Sequence, residues 1–102
     1  MKLEHYPVEK LKKEIKEIIG KHIDLNQYQI FFFGSRVTGR GSERSDIDIG
    51  IEVVREVPAI AFMDIKEELE QLPILYKIDV VDFKNLSGEF YKVAKEKIEP
   101  IL

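Results

Sequence analysis

The sequence predicts one α+β domain with elements in the order α-β-β-α-β-α, a small mixed sheet and helices packed mainly on one face. Three observations predict it. The apolar, β-favouring run Ile30 to Phe33 is joined by a Gly/Ser loop to Asp46-Ile47-Asp48-Ile49-Gly50-Ile51, which alternates with period two. Residues 75–83, Leu-Tyr-Lys-Ile-Asp-Val-Val-Asp-Phe, make a third strand. Three further segments, 7–22, 58–72 and 87–98, repeat apolar residues at helical spacing instead. A chain of 102 residues suits one core, so residues 1–102 are a single domain.

Pro7 stands where a first helical turn accepts proline, and Val8, Leu11, Ile15, Ile18, Ile19 and His22 mark one face to about residue 22. His22 reads as a helix-end or surface histidine. Asp24 to Tyr28 is a turn, and the first strand follows at about 28–33. The second strand, about 46–54, is antiparallel or nearly so to the first, the simplest geometry for a unit this short. Arg55 to Val57 lead out and Pro58 opens the second helix. Ala61, Phe62, Ile65, Leu69 and Leu72 form its apolar face before Pro73 stops it, and Asp64, Glu67, Glu68 and Glu70 form a solvated face. After the third strand, Asn85-Leu86-Ser87 offer capping residues. Phe90, Val93, Ala94 and Ile98 give the last helix its apolar face, Tyr91 lies on its surface, and Pro100 ends it before Ile101 and Leu102 trail off.

The chemistry concentrates in residues 30–51. Side chains alternate along a strand, so Asp46 and Asp48 share one face while Ile47, Ile49 and Ile51 point to the core. Two adjacent carboxylates repel, and Mg²⁺ suits such a pair because it takes one or two carboxylates together with substrate phosphates. The loop upstream has what a phosphate needs: glycines at 34, 39 and 41 that let backbone approach, the Ser35 hydroxyl, and arginines at 36, 40 and 44. It is not a P-loop, since Arg40-Gly41 and a strand follow Gly39. Nor is it an EF-hand, since isoleucines separate the acids. Asp79 and Asp82 are three residues apart and fall on opposite faces, so only one can join Asp46 and Asp48. Lys77 shares the Asp79 face and reads as a solvated edge lysine.

Composition excludes several classes. The net charge of −3 and the lack of a long basic run disfavour a polynucleotide substrate. With no cysteine there are no disulfides or thiolate metal sites. There is no signal peptide and no apolar run of membrane-spanning length, so a cytoplasmic protein with no membrane partner is expected.

Gly34-Ser35, ten residues, then Asp46-Ile47-Asp48 resembles the G-S-x(10)-D-x-D signature of the nucleotidyltransferase superfamily that includes DNA polymerase β. The fuller G-S-x(3)-G-x(5)-S-D-x-D form has Gly39 and Ser45 in place. In so short a chain it is most similar to the minimal nucleotidyltransferases, the MNT antitoxins of HEPN/MNT pairs. The resemblance implies a polymerase β-like core that moves AMP from ATP to an acceptor hydroxyl, a tyrosine on a HEPN-type toxin. It implies two Mg²⁺ ions on Asp46 and Asp48. It also implies a third carboxylate in a hydrophobic-Asp-hydrophobic context, which Ile78-Asp79-Val80 fits better than Asp82 does; Asp79 would complete the catalytic-metal site and help deprotonate the acceptor. Gly34 and Ser35 would bind the β- and γ-phosphates. Arg36 would offset triphosphate charge or serve as a structural or rim residue, Gly39 would set loop geometry, and Ser45 would bond backbone or a metal-bound water. No room remains for an acceptor-binding domain, so a HEPN-type partner, or a second copy in a homo-oligomer, would complete the site. Two other readings stay open: a non-catalytic nucleotide-binding or contact antitoxin, and a nucleotidyltransferase acting on a small molecule such as an aminoglycoside.

Overall fold

The computed structural model describes residues 1–42, 44–52 and 57–102. Helix α1 (Val8–Gly20) buries Leu11, Ile15 and Ile19, which recur every fourth residue. Pro7 is its N-cap, one position earlier than expected, and the Pro7 carbonyl accepts from the Leu11 N–H at 3.1 Å. A 3-10 turn at Leu25–Gln27, capped by the Asp24 side chain, leads into strand β1 (Gln29–Phe33). The loop that follows opens with one turn of helix, α2 (Ser35–Thr38), and then gives strand β2 (Ile47–Glu52). The expected continuation of that strand through Val53 and Val54, and the lead-out at Arg55, lie outside the described residues. Helix α3 (Ala59–Glu70), strand β3 (Ile78–Asp82), helix α4 (Gly88–Lys95) and the two-residue strand β4 (Glu99–Pro100) complete the order.

The sheet order is β3-β2-β1-β4. β1 is antiparallel to β2 and to β4, while β2 and β3 run parallel, joined through α3 as a parallel pair requires. Strand parity divides the sheet into two chemically different faces. On one, Ile30, Phe32, Ile47, Ile49, Ile51, Ile78 and Val80 meet Leu11, Ile15 and Ile19 of α1 and Ile65 and Leu69 of α3. The other carries Phe31, Phe33 and Phe83, covered by Tyr91, Ala94 and Ile98. Two of the three long helices therefore share one face, and α4 lies on the opposite one. Gly50 makes the second face possible: a Cβ there would fall 2.5 Å from the Phe31 ring and 2.6 Å from the Phe83 ring. The two rings instead meet edge to face at 4.9 Å between centroids.

Several expectations change at the element level. α1 stops at Gly20, and His22 pairs with Glu68 of α3, as does Lys21. Glu68 is therefore half-buried between two helices and not part of the solvated face. α4 ends at Lys95, and Pro100 does not stop a helix but sits in edge strand β4 opposite Phe31. A proline is tolerated at such an edge because no partner needs its missing N–H. Ile101 does not trail off; it is buried, and its N–H donates to the Ile30 carbonyl at 2.8 Å. Finally α4 is rotated: Tyr91 faces the core, while Phe90 and Val93 are exposed. Among the described residues no helix is long and apolar enough to cross a membrane.

Candidate active site

The register lines up Phe33, Asp48 and Asp79 across β1, β2 and β3. Asp48 and Asp79 are direct neighbours on parallel strands, on the sheet face opposite α1 and α3. Asp46 precedes β2 by one residue and shares the parity of Asp48. The Asp48 carboxyl is pushed up from an ordinary 3.8 to about 6, by burial first, then by the charges of Asp79 and Asp46. Asp82 has the opposite parity and a different task. It is buried, and its carboxylate accepts from the Val57 N–H at 3.1 Å and the Lys84 N–H at 3.0 Å, closing the end of β3.

Gly34 joins β1 to α2 with φ +82°, in the region L side chains rarely adopt. A Cβ there would lie 2.2 Å from Asp48 Oδ2, so the Asp48 carboxylate rests against the bare Gly34 backbone. The loop beyond is tied to itself. The Arg40 and Gly41 N–H groups donate to the Ser35 carbonyl at 3.0 Å each, and the Ser42 N–H donates to Ser45 Oγ at 2.8 Å. Gly39 takes the left-handed conformation that ends α2. Arg36 Nε donates to the Ser45 carbonyl at 2.8 Å, and its guanidinium lies 4.7 Å from the centre of the Tyr76 ring.

A cleft of about 420 Å³ opens on this face. Gly34, Ser35, Asp48 and Asp79 line it. Asp46 acts on Asp48 through its charge, from beside the lining residues. Arg36, Gly39 and Ser45 build the loop behind it; Arg36 and Gly39 border a separate hollow with Lys2 and Ser42. Sequence reasoning missed the far wall, where Phe90, Val93 and Lys97 stand, and the part of Arg40 and Thr38 in the near one. Arg40 was visible only as one arginine among three in the loop.

The donor set is oxygen only. Among the described residues no three acidic or histidine side chains are arranged to hold a metal ion by themselves. An oxygen-only donor set fits Mg²⁺, which completes its shell with waters and substrate phosphates around one or two carboxylates.

Residues 13–101 match the Polymerase beta, Nucleotidyltransferase family, and the chain belongs to it. It is 33% identical over 91 residues to a Methanocaldococcus jannaschii protein named as a protein adenylyltransferase, a match covering 82% of this chain and 90% of that one. It is 26% identical over 69 residues to a Haemophilus influenzae protein named as the protein adenylyltransferase MntA. That match covers 68% of this chain and 60% of the Haemophilus protein, so less than two thirds of the latter is spanned. A solved complex of a tri-AMPylated Shewanella oneidensis HEPN toxin with its MNT antitoxin is similar at a TM-score of 0.66 and 19% identity, covering 92% of this chain and 71% of that one. At that identity the likeness is one of fold.

Proposed function

We propose that this chain transfers AMP from ATP to a hydroxyl of a HEPN-type partner, a tyrosine, and thereby acts as an antitoxin. One observation carries the reading: Asp48 is wedged between Asp79 and Asp46 on a cleft floor that Gly34 and Ser35 border. Such crowding of like charges is costly in a site left to water and useful where a cation and a polyphosphate arrive together. The names of the Methanocaldococcus and Haemophilus relatives, and the AMPylated HEPN toxin of the similar complex, support the protein acceptor.

In this reading the acceptor oxygen bonds to the α-phosphorus of ATP, the bond from that phosphorus to the bridging oxygen breaks, and pyrophosphate leaves. Asp79 receives the acceptor proton. Gly34 offers backbone, and Ser35 its hydroxyl, to the β- and γ-phosphates. Two Mg²⁺ ions held by Asp46, Asp48 and Asp79 would supply charge neutralisation at the attacking and leaving oxygens. Arg36 and Ser45 act indirectly, by holding the loop in place. The cleft is open on its acceptor side, which the partner closes.

The test is intact-mass measurement of the co-purified partner before and after Mg²⁺ and ATP. A gain of one or more AMP units, lost with Asp46→Asn and Asp48→Asn together, is expected. An unmodified partner that stays bound and silenced would overturn the reading in favour of inhibition by contact.

A further inference from the structure

We propose that the exposed apolar side of α4 is the base platform of this site: the aromatic ring of the donor nucleotide lies on Phe90, with Val93 beside it, while Lys97 and Arg40 face the phosphates. The inference rests on the nucleotidyltransferase reading and assigns residues outside its sequence motif. α4 is held to the sheet by another side. Tyr91 and Ala94 pack on the phenylalanine cluster, and Lys95 Nζ lies 5.0 Å from the centre of the Phe31 ring. Phe90 and Val93, 60% and 65% exposed, take no part in that packing. They stand one turn apart and line the cleft that Asp48 and Asp79 floor.

The charges on and beside α4 bear on the occupant. Glu89 and Lys92 are exposed and lie on the helix's third side, so the apolar stripe does not spread over the outer surface as a broad protein-docking patch would. It faces the cleft. Lys97, two residues past the end of α4, and Arg40 on the loop opposite bring positive charge to the same cleft, with the Glu96 carboxylate beside Lys97. A ligand that fills it presents an apolar face to Phe90 and Val93 and an anion to Arg40 and Lys97. A nucleoside triphosphate has both; a tyrosine side chain lacks the anion.

Titration calorimetry on the full chain with Mg²⁺ tests this, using ATP and inorganic tripolyphosphate as probes. Phe90 is exposed, so Phe90→Ala leaves the core intact, which circular dichroism checks. Phe90→Ala should weaken ATP roughly ten-fold, the loss typical of one base–aromatic stack, and leave tripolyphosphate unchanged. Phe90→Trp should retain ATP, and Lys97→Met should weaken both probes. ATP binding by Phe90→Ala equal to that of the unsubstituted chain would overturn the platform and leave the nucleotidyltransferase reading standing. Failure of the unsubstituted chain to bind either probe would overturn both.

Discussion

Asp48 has a cost that can be measured without any partner. Its folded-state pKa of about 6 lies above the ordinary 3.8, so its protonation favours the folded chain. The contribution is fully present below about pH 4 and is lost as pH rises through about 6. Asp48→Asn removes the penalty. Without nucleotide, this variant should be more stable than the parent at pH 7.5, by on the order of 1 kcal/mol after allowing for solvent around the half-buried group, and the difference should vanish at pH 4. Urea melts at the two pH values check this. Gly34→Ala should do the opposite. Its Cβ meets Asp48 Oδ2 at 2.2 Å and its φ is strained, so a loss of about 1–3 kcal/mol is expected, with ATP binding lost as Asp48 is displaced. At this scale the sequence was informative because strand parity is local. Alternation puts Asp46 with Asp48 and separates Asp79 from Asp82; the family resemblance favours Asp79 of the two, and the register sets it opposite Asp48. Parity says nothing of what an arginine reaches. Arg36 is turned toward Tyr76, forty residues on, while Arg40 borders the cleft.

Helix α4 shows why an element can be legible and its orientation not. Phe90, Val93, Ala94 and Ile98 form a regular apolar stripe, yet the side that packs on the sheet is Tyr91 and Ala94, partly buried, with Ile98 beyond the helix end. The deciding contacts come from Glu52. Its carboxylate accepts from the Tyr91 hydroxyl and from Lys95 Nζ, the latter at 2.5 Å, which lets a tyrosine and a lysine turn inward with their polar ends satisfied. No window of local sequence contains both partners. β4 escaped notice for the same reason: two residues make a strand only because β1 has a free edge beside them. Burial alone would raise the Glu52 pKa, but the hydrogen bonds from Lys95 and Tyr91 and the Lys95 charge outweigh it and lower it. The tether therefore holds above the ordinary glutamate range and fades as pH falls through the lowered value. Tyr91→Phe should speed amide exchange in α4 more than in α1, which exchange measured by mass spectrometry reads directly.

Across the whole molecule, the sheet separates what stabilises from what reacts. α1 and α3 bury one face in an aliphatic core, and the acids, the glycine junction and the open wall of α4 occupy the other. Perturbations on the two faces should therefore add independently where they are far apart. Ile15 is fully buried in α1, and Ile15→Val removes one methyl group at a cost of about 0.5–1.5 kcal/mol. Its melting temperature should drop by several degrees. Saturating Mg²⁺ and ATP at about a hundred times the dissociation constant should stabilise the chain by about 2.7 kcal/mol, raising the melting temperature by roughly 10 °C or more. Ile15→Val should keep that whole increment from its lower starting point. Asp46→Asn with Asp48→Asn should start at or above the parent, since crowded charge has been removed, and gain little from Mg²⁺ and ATP. Four melting curves, each protein with and without ligand beside the parent pair, separate the two faces. An increment that shrinks in Ile15→Val would mean that the aliphatic core sets the geometry of the acids, and the independence argued here would fail.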